Sequence, residues 1–112
     1  MLTTTQRLAL ERQIITSLID TMRTHGWKVD HVYDGGDECR DNATTEATLE
    51  HVFSVDESQI IFEDERGRQH WVSIILGNGV DCISDYSYAN YNADTFQRVM
   101  ETHVDPFVEA LQ

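Results

Sequence analysis

The stretch that decides the fold is QIIFEDERGRQHWVSIILGNGVDCISDYS, residues Gln59 to Ser87. It contains three runs rich in β-branched and aromatic residues, separated by two short polar segments with glycine, which is the pattern of three consecutive antiparallel strands. The middle run, His70 to Leu76, is apolar on both faces, as expected for a strand with a neighbour on each edge. The helices of the chain are therefore expected to pack against this sheet.

The second turn of this stretch predicts a register. Asn78-Gly79 lies between the second and third runs, and this dipeptide supplies the two positive-φ residues that a two-residue hairpin turn needs. With these two residues as the loop, Ile74 faces Ile83 and Trp71 faces Tyr86. Because side chains alternate between the faces of a strand, Trp71 and Tyr86 are predicted to share one face. The other face, the better candidate for the core, carries Val72, Ile74, Leu76 and Ile83 with Asp81 and Asp85.

The first turn of the stretch, Glu65 to Arg68, contains a glycine but does not fix a loop length. A shift of one residue in the pairing moves every side chain of a strand to the opposite face. The face to which Ile60 and Phe62 point therefore stays open at the level of the sequence.

A long helix is predicted at each end of the 112 residues. Thr3 and Gln6 have the spacing of a capping box at the start of the first helix, and Gly26 ends it. Its apolar stripe comprises Leu8, Ile15, Leu18, Ile19 and Met22. The last helix is predicted to begin near Asp94 and to bury Phe96, Val99, Met100, His103 and Phe107. Pro106 predicts either a kink near Thr102 or a break, with Asp105 capping a final turn.

The remaining segments complete the order of elements. Trp27 to Tyr33 alternates as a half-buried edge strand does, Asp34 to Asn42 favours an irregular charged loop, and Thr44 is placed to cap a short helix. The predicted order is α-β-α-β-β-β-α, a two-layer α+β fold with a mainly antiparallel sheet and both long helices on one face. We expect the 112 residues to form one domain, 1–112.

The number of cysteines and the length of the apolar runs indicate the cellular compartment in which the protein is expected. Cys39 and Cys82 lie far apart and are too few for a disulfide framework, so both are expected to be free thiols. The first residues lack the basic and apolar regions of a signal peptide, and no apolar run approaches the ~18 residues of a membrane span. We therefore expect a cytoplasmic protein with no membrane contact.

The charge of the chain is concentrated in one segment. The formal net charge is −12, and the residues from Asp30 to Glu65, called the acidic segment below, contain twelve acidic residues and one basic residue, Arg40. This asymmetry indicates a local negative field instead of an evenly acidified surface. Direct binding to nucleic acid is not expected, because proteins that bind a phosphate backbone carry clustered Lys and Arg.

The sequence predicts neither a metal site nor a catalytic site, and no cofactor. The loop Asp34 to Asp41 lacks the alternating ligands and the final Glu of a calcium loop, and the five histidines show no paired spacing. Several side chains of the sheet are of types found in catalytic sites, namely Ser73, Ser84, His70, Asp81 and Asp85. The predicted register, however, places the serines and the aspartates on opposite faces of the sheet. Cys82 is expected to be a small core residue. The prediction is therefore that the chain is not an enzyme.

The acidic segment favours a binding function, because dense carboxylates on a folded scaffold attract a positive partner over long range. The first hypothesis is a small non-enzymatic interaction module acting on a basic or nucleic-acid-binding protein. An inhibitor or charge mimic of the immunity, antitoxin or phage anti-defence type is the analogy, and it rests on charge alone. Solubility is the alternative explanation for the same charge. The residues predicted to contact the partner are Asp34, Asp37, Glu38, Asp41, Glu46, Glu50, Asp56 and Glu57.

A second hypothesis rests on aromatic residues. The segment SYANYNAD after the last strand carries Tyr88 and Tyr91, and tyrosine gives a large contact area with few rotatable bonds. If helices cover the opposite face of the sheet, Trp71 and Tyr86 line an open surface beside this segment. Such a surface suits a peptide, a small ligand or a second copy of the chain in a homodimer. The alternative is a cross-strand aromatic pair with a structural role only.

Overall fold

The computed structural model describes residues 2–40, 44–87 and 94–111. The helices are α1 (Thr4–Thr24), α2 (Thr45–Val52), α3 (Asp94–Val99) and α4 (Asp105–Ala110), with a π-helical turn at Met100–Val104 joining the last two. The strands are β1 (Lys28–Tyr33), β2 (Glu38–Cys39), β3 (Glu57–Glu63), β4 (Gln69–Ile75) and β5 (Ile83–Tyr86). The predicted α+β fold and element order are confirmed, with the two-residue β2 added inside the predicted charged loop.

The five strands form one antiparallel sheet in the order β2-β1-β3-β4-β5. Along β3 and β4 every second side chain is buried, so the sheet has one face in the core. That core joins Ile60, Phe62, Val72 and Ile74 to the buried side chains of α1, α2 and the C-terminal helices. The opposite face, called the open face below, carries half-buried side chains that stay outside the core, among them Ile61, Trp71 and Ile75.

The predicted ends of the first two helices are confirmed, because each depends on contacts between residues close together in the chain. Thr3 and Gln6 form the capping box, with the Thr3 hydroxyl accepting from the Gln6 N–H at 3.1 Å. Thr44 caps α2 by accepting from the Ala47 N–H at 3.1 Å. Gly26 follows the end of α1 with φ +81°, a conformation that L side chains rarely adopt.

The predicted hairpin between β4 and β5 is only partly correct. Ile74 does face Ile83, but a bulge then shifts the register, so that Ser73 faces Asp85 and Val72 faces Tyr86. The predicted pairing of Trp71 with Tyr86 is therefore wrong, and Tyr86 lies on the core face. Its ring is 6.4 Å from that of Phe96.

The loop between β4 and β5 is also longer than the two-residue turn that Asn78-Gly79 predicts. The Ile75 N–H donates to the Cys82 carbonyl at 2.8 Å, and a 3₁₀ turn occupies Gly79–Asp81. Positive φ values occur at Gly77 and Gly79, whereas Asn78 has φ −89°. A type I′ turn requires positive φ at both central residues, so this loop is a different structure.

A buried carboxylate on α1 holds this loop. Glu11 is fully buried, and its Oε2 accepts from the backbone N–H of Gly77 at 2.7 Å and of Gly79 at 2.9 Å. The Arg7 guanidinium is 3.7 Å from Oε1. The predicted apolar stripe placed Leu8 in the core, but Leu8 is 38% exposed. Glu11 and Ile14 are buried on the inner side of the helix instead.

The turn between β3 and β4 settles the face of β3 that the sequence left open. Asp64 Oδ1 accepts from the backbone N–H of Arg66 at 2.8 Å and of Arg68 at 3.0 Å, and Gly67 has φ +79°. This turn pairs Ile60 with Val72 and Phe62 with His70. Both β3 residues consequently point into the core, where they are fully buried.

Near Thr102, where the first alternative predicted from Pro106 places a kink, the C-terminal helix contains a π turn, whereas the second alternative, a break capped by Asp105, is wrong. The helix widens to a π turn at Met100–Val104 and continues as α4, with Asp105 in helical conformation and not acting as a side-chain cap. The wider turn shifts the helical period by one residue. Val104 is therefore buried and His103 is exposed, contrary to the prediction for His103. Phe107 is half-buried.

Replacing Glu11 tests its structural role. Glu11→Ala leaves two backbone N–H groups of the β4–β5 loop without an acceptor, and we expect it to lower the free energy of unfolding by about 2 kcal/mol or more. Glu46→Ala is the matched control, because it removes an exposed carboxylate paired with Arg12 and is expected to cost less than about 1 kcal/mol. Urea denaturation measures both. Equal losses in the two variants contradict the role assigned to Glu11.

Candidate functional site

The predicted acidic contact residues are distributed over three neighbouring parts of the fold. Asp34, Asp37 and Glu38 lie in the β1–β2 turn and on β2, Glu46 and Glu50 lie one turn apart on α2, and Asp56 and Glu57 lie at the start of β3. All except the half-buried Asp34 are exposed. Asp41 lies outside the described residues. Apart from Asp34, the predicted contact residues that the structure describes therefore present their carboxylates to solvent around the β2 side of the sheet, including α2.

Few of these carboxylates are neutralised by a basic side chain. Glu46 is paired with Arg12 at 2.7 Å, and Glu38 is paired with Arg40 at 2.8 Å. Among the described residues, no ion pair is formed by Asp37, Glu50, Asp56 or Glu57. The one basic residue of the segment, Arg40, also contacts Asp30 at 3.0 Å. Asp30, Glu63 and Asp64 of the acidic segment also form ion pairs, so the uncompensated charge lies at the exposed predicted contact residues Asp37, Glu50, Asp56 and Glu57.

Backbone geometry fixes one of these carboxylates. Asp34 Oδ1 accepts from the N–H groups of Asp37 at 2.7 Å and Gly36 at 3.0 Å. These hydrogen bonds, that of Asp37 first, hold the pKa of Asp34 below its usual value. Asp34 consequently remains ionised, and its side chain is used to shape the turn.

A cluster of charged side chains around His31, at the β1–β2 edge, was not predicted from the sequence. A bulge in β1 brings Asp30 Oδ2 to 2.7 Å from His31 Nδ1, and Glu38 Oε1 is 3.8 Å from His31 Nε2. The side chain of His31 is 9% exposed. The hydrogen bond from His31 lowers the pKa of Asp30 against the opposing effect of burial, and Arg40 lowers it further. The cluster joins β1 to β2.

The open face presents an aromatic and aliphatic centre. Trp71 faces Ile61 across the β3–β4 pair, and Ile61 faces His31 across the β1–β3 pair. Tyr33, 37% exposed, faces Gln59 on the next row. Because Tyr86 lies on the opposite face, the Trp71 and Tyr86 surface of the second hypothesis does not exist. Tyr88 and Tyr91, the other two residues of that hypothesis, lie outside the described residues.

Tyr86 lies instead at the edge of a shallow cleft. The cleft, of about 270 Å³, is lined by Asp81, Asp85, Asp105 and Glu109 as well as by Tyr86. Burial, followed by the negative charge of Asp105, raises the pKa of Tyr86 to about 12, and its hydroxyl donates to Asp105 Oδ2 at 3.4 Å. Burial also raises the pKa of Asp105. The Tyr86 hydroxyl is therefore protonated, and its hydrogen bond to Asp105 links β5 to α4.

A second aspartate–histidine pair is buried between β3 and β4. Asp64 Oδ2 is 3.0 Å from His70 Nε2 and accepts from Arg68 Nε at 3.0 Å. The His70 ring stacks on Phe96 with centroids 4.9 Å apart. Burial raises the pKa of Asp64, but the hydrogen bonds from His70 and from Arg68 and Arg66 outweigh it and hold the pKa well below its usual value.

These groups do not form a recognisable catalytic arrangement. In the described ranges, neither His31 nor His70 has a hydrogen bond to a serine, threonine or cysteine. Burial and the charge of Glu11 raise the pKa of the Cys82 thiol to about 12, which opposes formation of a thiolate nucleophile. The described part of the chain contains no group of three His, Cys, Asp or Glu arranged to hold a metal ion.

The chain was compared with known proteins. No protein-family model, curated protein or solved structure matches it. None of the described helices is long and apolar enough to cross a membrane. The functional interpretation therefore depends on the geometry and charge of this chain alone.

The ionised form of Asp64 should make folding sensitive to acid. Because the folded state holds the pKa of Asp64 below its unfolded value of about 3.9, the stabilisation is present above that pH and is lost as the pH falls below it. We expect Asp64→Asn to be less stable than wild type at pH 6 and to lose less stability on acidification to about pH 2.5. Urea denaturation across this range measures both effects.

Asp56→Asn is the control for this prediction, since Asp56 is exposed and has no ion pair among the described residues. It should keep the wild-type dependence of stability on pH. If Asp64→Asn and Asp56→Asn show the same dependence, the Asp64 contacts do not stabilise the fold.

Proposed function

We propose that this chain is a small non-enzymatic interaction module that binds a basic protein through the carboxylates of the acidic segment. The partner is a nucleic-acid-binding protein, on which the module acts as an inhibitor or charge mimic. The observation that carries the proposal is the lack of internal neutralisation. Asp37, Glu50, Asp56 and Glu57 are exposed without an ion pair among the described residues.

The cost of this arrangement supports an interaction role. Uncompensated like charges repel each other in the folded state and lower its stability, whereas attraction to a positive partner relieves that repulsion. The rest of the chain, outside the acidic segment, has nearly balanced charge with eight acidic and seven basic residues. A need for solubility alone does not explain why the excess is concentrated in one segment.

The open face adds apolar area beside the charge. Glu57 and Glu63 lie on the same face of β3 as Ile61, and Trp71 is the cross-strand neighbour of Ile61. Interfaces commonly combine an apolar centre rich in aromatic residues with a polar rim. A basic partner with an apolar patch is therefore the best match. The two free cysteines are consistent with the proposed action in the reducing cytoplasm.

Charge reversal tests the proposal. The segment variant combines Asp37→Lys, Glu50→Lys and Glu57→Lys, and the control variant combines Asp20→Lys, Glu101→Lys and Glu109→Lys. Each replaces three exposed carboxylates, so the change in net charge is the same. Proteins retained on immobilised wild type at about 0.05 M salt and released at about 0.5 M are identified, and a purified basic candidate is titrated by calorimetry.

We expect the segment variant to weaken binding about tenfold or more and the control variant to change it by less than about threefold. Wild-type affinity should fall as salt is raised, and the module should compete with DNA for the candidate. An equal loss in both variants means that only net charge matters. That result, or the absence of any basic partner, contradicts the proposal and leaves solubility as the explanation.

A further inference from the structure

The open face has an apolar centre with a carboxylate at each end of β3. Ile61, in the middle of β3, faces Trp71 across the β3–β4 pair, and both side chains are half-buried. Because side chains alternate along a strand, Glu57 and Glu63 lie on the same face as Ile61. At a rise of about 3.3 Å per residue, the two glutamates are about 20 Å apart along the strand.

Two further carboxylates lie on the edge strands. Gln59 of β3 faces Tyr33 of β1 on one side and Ser73 of β4 on the other. Tyr33 in turn faces Glu38 of β2. Ser73 faces Asp85 of β5 in the same way. This row crosses the whole sheet, and at a strand spacing of about 4.8 Å it is about 19 Å long. The apolar centre is therefore bordered by carboxylates along the strands and across them.

The border keeps negative charge that no basic side chain neutralises. Glu57 and Asp85 are exposed, and neither forms an ion pair among the described residues. Asp85 accepts from the backbone N–H of Tyr86 at 2.9 Å, which leaves its charge in place. The other two carboxylates are each paired with one basic side chain, Lys28 or Arg40. A ligand on the open face therefore meets an apolar centre inside a negative border.

We propose that the open face binds a basic amphipathic α-helix of the partner protein. The apolar side of this helix lies on Ile61 and Trp71, and its Arg and Lys side chains reach the bordering carboxylates. The inference rests on the proposed function, because the helix belongs to the basic partner. Charge complementarity selects the occupant, since a second copy with net charge −12 brings like charge to the border.

The sheet selects a helix over an extended segment. β3 and β4 each have a strand on both sides, so neither presents a free edge to which an extended segment could add. An extended segment lying flat on the face would bury its own backbone polar groups without partners. A helix satisfies those groups internally, and at a width of about 10 Å it fits between borders about 20 Å apart. It adds a third layer to a sheet whose other face is already covered by helices.

Two synthetic peptides test the inference on the full chain. Both have about 14 residues and the same composition of Leu, Ala, Arg and Lys, but only the striped peptide places Leu at i, i+3, i+4 and i+7 spacing. We expect it to bind at least about tenfold more tightly than the scrambled peptide. Tryptophan fluorescence measures binding, because Trp71 is half-buried and loses contact with water in the complex. Trp27, 8% exposed, is already in the core.

Neutral substitutions locate the contact without changing the net charge. We expect Ile61→Gln to weaken binding of the striped peptide about tenfold, because it removes the apolar centre. Tyr33→Thr, at a position 37% exposed, should weaken it about threefold and leaves the core intact. Leu8→Gln is the matched control, because Leu8 is 38% exposed on α1 and lies outside the open face. It should keep the wild-type affinity. Circular dichroism checks that the three variants remain folded.

Three results overturn the inference. Equal binding of the two peptides means that charge alone determines affinity, so the inference fails while the proposed function stands. Tighter binding of the striped peptide that Ile61→Gln, Tyr33→Thr and Leu8→Gln all leave unchanged means that the helix binds another surface. No binding of either peptide at about 0.05 M salt means that the chain attracts no cationic partner, and this result contradicts the proposed function as well.

Discussion

The hydrogen bonds from the β4–β5 loop to Glu11 are the constraint on which much of the fold depends. A carboxylate in the core of a protein with net charge −12 is unfavourable unless it accepts hydrogen bonds, and here its Oε2 accepts from the backbone N–H groups of Gly77 and Gly79, while Arg7 Nε lies 3.7 Å from Oε1. The loop is thereby held against α1 in a conformation different from a hairpin turn. Directly after this loop, β5 pairs with β4 in a register shifted by a bulge. This shift places Tyr86 on the core face.

Carboxylates have three distinct roles in this protein. Glu11 and Asp64 are buried and hold loops through backbone hydrogen bonds. Others, such as Glu38 and Glu46, are paired with the few arginines near them. The exposed carboxylates of the acidic segment without such pairs are a third group. The proposed binding function depends chiefly on this last group, because the first group is buried and the second is partly neutralised by arginine.

The sequence determined the features that depend on residues close together in the chain. Thr3, Thr44 and Gly26 act on backbone groups within a few positions, so their helix ends were predictable. The alternation of the strands and the order α-β-α-β-β-β-α follow from the same local patterns. The concentration of charge in the acidic segment is a property of the sequence as such, so the candidate acidic residues were also named without the structure.

Only the tertiary structure decided the features that depend on residues far apart in the chain. The carboxylate of Glu11 and the amide of Gly77 are separated by 66 positions, and no local pattern reveals that they meet. The bulges in β1 and β5 bring Asp30 to His31 and remove Tyr86 from the face of Trp71. The physical reason is that a buried polar group selects its partner by tertiary packing, and a shift of one residue then changes which face every later side chain occupies.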